Sequence, residues 1–206
     1  MDEARSVREF WFGRPPMSAD ELNRRIRFWF GGSASELGQL RDDHMRERFG
    51  ELLELAASGA LASWADGPRR RLSLILLLDQ FPRNMFRGSA RAFAYDDKAL
   101  ALALSGMQSA ADAALDPVER MFFYMPLQHT ESREVQDESV AAYRRLLAEA
   151  PQELRGPFAG ASRSAENHRT IIERFGRFPH RNRVLGRENT PAEDEWLRNG
   201  GEKFGQ

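Results

Sequence analysis

The 206-residue sequence contains no cysteine. This absence excludes disulfide bonds, thiolate-bound metals and a cysteine nucleophile. The basic residues are almost all arginine, since only Lys98 and Lys203 are lysine, and the formal net charge is −1. A general nucleic-acid-binding protein would usually carry a strong positive excess. We therefore expect no nucleic-acid partner.

Long apolar segments are also absent. The most apolar run, Leu72 to Leu78, is interrupted only by Ser73 and is far shorter than the roughly 20 residues that a bilayer-spanning helix needs. The segment from Met1 to Phe12 contains acidic side chains and no apolar core typical of a secretory signal. We expect a cytoplasmic protein that does not cross a membrane.

The short motifs of several common enzyme classes are missing. The sequence has no Walker loop, no G-x-G-x-x-G and no G-x-S-x-G, which are the motifs of phosphate binding, dinucleotide binding and the α/β-hydrolase nucleophile. Motifs alone therefore favour no reaction class, and we predict no cofactor.

The sequence does contain helical patterning throughout. Apolar side chains recur every three or four residues in segments 37–56 and 135–147, as on one face of a helix. Asp116-Pro117 and Thr190-Pro191 are typical helix starts. No segment shows the alternation of a strand. We predict one all-α domain over residues 1–206.

Two features predict where helices end. The FWFG tetrapeptide occurs at Phe10–Gly13 and Phe28–Gly31, and we expect its aromatic side chains to fill the core and its glycines to end helices. Phe81 precedes Pro82, which disfavours helical geometry, so the central helix should stop near Gln80. The segment Pro151–Ser164 is rich in proline, glycine and serine and is predicted to be a loop.

A short internal similarity links the middle of the chain to its C-terminal part. Residues 80–84 read QFPRN, and residues 177–182 read RFPHRN, with one residue inserted. Both follow an apolar helix and both lead to a glycine and a further helix. Repeated helical units of this kind suggest a stacked helical array.

Four long blocks resemble one known family. LLDQFPRNMFRGSARAFAYD, ERMFFYMPLQHTES, HRTIIERFGRFPHRNRVLGRENTP and RERFGELLELAASGALASWAD are similar to the bacterial family called domain of unknown function 924. The resemblance implies an all-α, tetratricopeptide-like superhelix of roughly eight to nine helices, and no established activity. Similar sequences typically have Glu-His where this chain has Gln128-His129, so a carboxylate at that position is not available here.

Three groups capable of proton transfer lie on apolar helix faces. Asp79 follows Leu72 by seven residues and Ile75 by four, so it shares their face. His168 precedes Ile172 by four residues, and His129 follows Met125 by four. Because a buried carboxylate needs partners, Asp79 should meet some of a set of candidates that comprises Arg83, His129, His168, Arg174 and Arg181.

These groups support three hypotheses. The leading one is a helical binding or scaffold protein whose interior pocket takes a small anion or a peptide carboxylate. Its ligand-binding candidates are Arg83, Asn84, Arg174, His180, Arg181 and Asn182. The second is an enzyme of hydrolase or lyase type that uses Asp79 with His129 or His168 as acid and base. The third is a purely structural polar core, with protein partners on the outer surface.

The segment from Ser164 to Glu188 favours an anion, because it holds six arginines and three glutamates. A metal site built from histidines with Asp79 or Glu131 ranks lower, since no two histidines are three or four residues apart on one helix. We therefore predict no metal. The sequence does not indicate an oligomeric state.

Overall fold

The computed structural model describes residues 2–14, 19–30 and 36–204, and within these ranges it contains helices and no strand. The all-α prediction is confirmed. The helices are α1 (Glu3–Phe12), α2 (Ala19–Phe30), α3 (Glu36–Ser58), α4 (Pro68–Ile75), a π-helical turn (Leu76–Gln80), α5 (Phe81–Met85), α6 (Asp96–Gln108), α7 (Pro117–Phe123), α8 (Met125–His129), α9 (Arg133–Ala148), α10 (Arg155–Phe175) and α11 (Pro191–Arg198). Short 3₁₀ turns lie at Ala62–Asp66, Ala90–Phe93, Asp112–Ala114, Gln152–Leu154 and Pro179–Arg181.

Several of these segments join into longer helical units. The path from α4 through the π turn to α5 is continuous, and only Tyr124 separates α7 from α8. Counted this way, the described ranges hold nine helical units, within the expected eight to nine. The helices pack in pairs such as α1 with α4 and α9 with α10, an arrangement compatible with a tetratricopeptide-like stack. No described helix combines the length and the apolar character that crossing a membrane requires.

The apolar run predicted to be central is buried on all sides. Leu72, Ile75, Leu76 and Leu77 have no exposed surface, because α4 and the π turn contact α1, α3 and α6. A helix that is apolar around its whole circumference is stable only in such surroundings.

The predicted end of the central helix near Gln80 is wrong. The backbone stays helical through Pro82 as far as Met85, because the turn before the proline widens to π geometry. The N–H of Phe81 bonds the carbonyl of Leu76, five residues earlier. A regular α-helix would bring the proline ring against the carbonyl four residues before it. The π turn accommodates the proline without breaking the helix.

The predicted loop at Pro151–Ser164 is also wrong from Arg155 onward, where α10 begins. Pro157 stands in the first turn, where backbone N–H groups lack helical partners in any case. The small residues in this segment lie along the helix that packs on α9. The buried positions Phe158, Ser162 and Ala165 have helical spacing, which was a usable signal.

The first FWFG segment fills the core as expected. Trp11 is buried, the C-cap Gly13 has φ 83°, and the Trp29 indole donates to the Trp11 carbonyl at 2.9 Å. Phe122 packs edge-on against Trp29, with ring centroids 4.6 Å apart. Phe30 is 59% exposed and is not part of the core. The helix end expected at Gly31 falls outside the described residues.

A second, smaller apolar cluster lies beside the 3₁₀ turn Pro179–Arg181, which follows Phe178 and which we call the C-terminal FP turn. Ile171, Ile172 and Phe178 form its buried centre. The Glu131 carboxylate accepts the Phe178 N–H at 2.8 Å and pairs with Arg187 at 2.7 Å. These bonds hold the turn against the loop that follows α8.

Candidate functional site

The site is organised around Asp79, the fourth residue of the π turn. Its side chain is completely buried. Gln80 Nε2 donates to Asp79 Oδ2 at 2.6 Å, and Arg83 Nη1 lies 3.1 Å from Oδ1. Burial alone would raise the pKa of the Asp79 carboxyl group, but the charge of Arg83 and the bond to His129 hold that pKa below its ordinary value. Asp79 is therefore a buried anion.

His129 is the partner that joins Asp79 to α8. Its Nδ1 lies 2.7 Å from Asp79 Oδ1. An ionised carboxylate only accepts hydrogen bonds, so Nδ1 carries the proton and Nε2 presents a lone pair. Burial and the neighbouring Arg83 lower the pKa of His129, which keeps the imidazole neutral. The His129 side chain is 13% exposed, whereas that of Asp79 is fully buried.

Arg83 links Asp79 to Asp96. Its Nη1 donates to the Asp79 carbonyl oxygen at 2.8 Å. Nη1 and Nη2 donate to the two oxygens of Asp96 at 2.8 and 2.7 Å, a bidentate pair. Arg83 lies near Asp79 because the helical path continues through Pro82. Its guanidinium is fully engaged within the protein.

Arg181, from the C-terminal FP turn, is less well paired. Its guanidinium lies between the rings of Phe93 and Phe178, 4.6 and 4.4 Å from their centroids. Its ion pair with Asp96 is long, at 3.4 Å, and its buried Nε has no hydrogen-bond partner. Burial and the nearby Arg83 lower the pKa of Arg181 to about 10. Asp96 thus connects α5, through Arg83, with the Pro179–Arg181 turn, through Arg181.

His168 lies next to His129, with ring centroids 6.0 Å apart. Its Nδ1 is 2.8 Å from the Ser164 carbonyl oxygen, so Nδ1 donates and Nε2 holds the lone pair. Burial and the proximity of His129 lower the pKa of His168 well below its ordinary value. The ring of Phe204 stacks on His168 at 3.6 Å between centroids.

His180 precedes Arg181 in the same turn and is partly buried. Its buried Nδ1 has no hydrogen-bond partner. Burial, followed by the charge of Arg181, lowers the pKa of His180 to about 3. Three neutral imidazoles and one incompletely paired guanidinium therefore lie near one another, and His129 connects this group to the buried Asp79.

The other candidates occupy different places. Asn84 Nδ2 donates to the Gln80 carbonyl oxygen at 2.8 Å, so this side chain satisfies a backbone acceptor. Asn182 donates to the Asn189 side chain at 2.8 Å, and its buried Oδ1 has no partner. Arg174 is exposed, with its guanidinium over the ring of Phe175. The structure does not bring Arg174 to Asp79.

Sequence reasoning missed Asp96, Phe93 and Phe204. Asp96 is the first residue of α6 and lies at the end of the family-like block that also contains Arg83. Within the described ranges, no three His, Asp or Glu side chains are arranged to hold a metal ion. Glu131, considered as a ligand, is instead engaged with Arg187 and the Phe178 N–H.

Comparisons with known proteins agree with the fold. A family model described as "Bacterial protein of unknown function (DUF924)" matches residues 7–201. A solved structure, the protein of unknown function ATU0120 from Agrobacterium tumefaciens, is 34% identical with a TM-score of 0.78, over 96% of this chain and 98% of that chain. No curated protein matches the chain.

Proposed function

The chain belongs to the bacterial DUF924 family, whose description assigns no function, and we propose that it binds a small anionic ligand, such as a free or peptide carboxylate. The ligand lies against Arg181 and the imidazoles of His129, His168 and His180. Arg83 and Asp79 form the charged support beneath these groups.

The observation that carries this proposal is the incomplete pairing of Arg181. The carboxylate nearest to it, Asp96, already forms two short bonds with Arg83, and Arg181 Nε has no partner. A buried cation held by aromatic rings, with an unpaired Nε donor, is suited to an anion. Arg71, Arg120 and Arg187 also have a buried Nε without a partner, but each forms a bond of 3.2 Å or shorter through Nη1, whereas Arg181 reaches Asp96 only at 3.4 Å.

Titration calorimetry with sodium acetate and with inorganic phosphate tests the proposal. We expect at least one of the two anions to bind, and Arg181→Gln to weaken that binding by about ten-fold or more. Arg174→Gln is the matched control, because Arg174 is exposed and its guanidinium lies over the ring of Phe175. Absence of binding by both anions, or equal effects of the two substitutions, would refute the proposal.

A second candidate function is acid–base catalysis, favoured by the 2.7 Å bond between Asp79 and His129. A carboxylate that holds Nδ1–H leaves Nε2 free to take a proton from water or substrate. In this function His129 would be the base and Asp79 would orient it. The low pKa of His129 keeps the base unprotonated at neutral pH.

Hydrolysis of p-nitrophenyl acetate gives a direct test of this second candidate. We expect His129→Gln to abolish a protein-dependent rate and Asp79→Asn to reduce it. His44→Gln is the control, because His44 is exposed. A rate that is unchanged in His129→Gln would exclude His129 as the base for this ester.

A further inference from the structure

Phe204 occupies a place among the site histidines. Its ring lies parallel to that of His168, at 3.6 Å and 21°. It also packs against Phe178 and His180, with centroids 6.3 and 5.7 Å away. The face of the His168 ring therefore provides a flat position for an aromatic ring. We call this position the seat, and the Phe204 ring occupies it.

The segment that carries Phe204 is irregular. Residues 201–203 form no helix; the Gly201 N–H donates to the Trp196 carbonyl oxygen at 2.9 Å, and Asn167 Nδ2 donates to the Glu202 carboxylate at 3.1 Å. Phe204 has a φ of 50°, a left-handed conformation that is unfavourable for a residue with a Cβ. A cavity of about 460 Å³ lies between α10, α11 and residues 200–202. The ring contacts thus hold a strained backbone in place.

The seat adjoins the proposed anion site. Phe178 contacts both the Phe204 ring and the Arg181 guanidinium. His180, whose buried Nδ1 lacks a partner, lies between Phe178 and Arg181 in the chain, and its ring contacts that of Phe204. A ligand with a ring on His168 would place its polar group near His180 and Arg181.

We propose that the position of Phe204 is an aromatic subsite of the anion site, and that the ligand is an aryl carboxylate whose ring displaces Phe204. This inference rests on the proposed function and specifies its ligand class. Phe204 acts as an internal occupant that competes with the ligand. The alternative is that Phe204 only seals the small apolar cluster.

Full-length Phe204→Ala separates these alternatives in titrations with benzoate, acetate and benzyl alcohol. We expect this variant to bind benzoate about ten-fold more tightly than the wild-type chain. Acetate affinity should stay within about two-fold, and neutral benzyl alcohol should gain no comparable affinity. Phe204→Leu, which keeps apolar bulk in the seat, is the control and should retain wild-type benzoate affinity.

Each outcome has a distinct meaning. Equal gains for benzoate and benzyl alcohol would show a simple apolar cavity and overturn the inference, as would no gain for benzoate. If acetate and phosphate bind through Arg181 but benzoate gains nothing, only the aromatic subsite fails. If Phe204→Ala binds benzoate while Arg181→Gln has no effect, the proposed anion site fails and the aromatic seat survives.

Carbethoxylation by diethyl pyrocarbonate supplies a second measurement that needs no ligand. The His168 modification rate, measured by peptide mass spectrometry, should rise at least several-fold in Phe204→Ala, because the stacked ring no longer covers the imidazole. Exposed His44 serves as the internal reference. Equal His168 rates in both chains would show that Phe204 does not cover the site.

Discussion

Asp79 Oδ1 and His129 Nδ1 are joined by a 2.7 Å hydrogen bond, although 50 residues separate them in the chain. The bond connects the π turn to α8 and sets the tautomer of the imidazole. Because Asp79 also contacts Arg83, one buried carboxylate positions both an imidazole and a guanidinium.

Replacement of Asp79 by Asn should strongly destabilise the protein. The amide removes one of the two carboxylates that balance buried Arg83, and breaking a buried ion pair costs up to about 3–5 kcal/mol. Urea denaturation measures the change. Asp137→Asn is the control, because Asp137 pairs with Arg169 on the surface, where a pair contributes at most about 1 kcal/mol. Similar losses in the two variants would contradict the assignment.

Arg83 and Arg181 should differ in their contributions to stability. Arg83→Met removes a bidentate pair, leaves Asp79 without its arginine and leaves Asp96 with only the long pair to Arg181, so we expect a loss of about 3–5 kcal/mol. Arg181→Met removes a poorly paired cation and keeps apolar bulk between Phe93 and Phe178. Its free energy of unfolding should stay within about 1 kcal/mol of wild type or increase. A large loss in Arg181→Met would indicate a structural role instead.

The free energy of unfolding should fall as the pH is lowered from 7 towards 4. The pKa of His180 is about 3 in the folded chain, because of burial and then Arg181, against an ordinary 6.5. The unfolded chain therefore takes up a proton first, and acid favours unfolding. Neighbouring Arg83 and His129 add to the lowering, and Glu131 opposes it.

Denaturation of His180→Gln at pH 7 and pH 5 checks this dependence. Between pH 7 and pH 5, the free energy of unfolding of the variant should fall by up to about 2 kcal/mol less than that of the wild-type chain. Some slope should remain, because the pKa of buried His168 is also lowered. A slope that is identical in His180→Gln would contradict the prediction.

Two helical glycines should respond in opposite directions to alanine. A Cβ at Gly106 would lie 2.5 Å from Phe123 Cζ and 2.8 Å from Arg71 Cδ, and overpacking of this kind costs about 1–3 kcal/mol. Gly160, in α10, has no atom within 4 Å of an added Cβ. Gly160→Ala should stabilise the protein by about 0.5–1 kcal/mol. Thermal melts of the two variants give the comparison.

Local sequence signals predicted the helices well where periodicity and caps agreed. The capping boxes at Asp116 and Thr190 are present as expected. The two errors, at Pro82 and in α10, both arose from treating proline and glycine as breaks. Helix propensity describes an isolated segment. In the folded chain, the packing of α10 on α9 outweighs the cost of its proline and glycines, and the π turn accommodates Pro82.

The sequence by itself determined the all-α class, the burial of the Leu72–Leu78 run and the placement of Asp79 on an apolar face, because each depends on spacing along one helix. Only the tertiary structure decided which distant residues meet. It places His129 beside Asp79, brings Arg83 and Arg181 to Asp96 and leaves Arg174 outside the site. The physical reason is that contacts between helices depend on how they pack in three dimensions, which spacing within one helix does not specify.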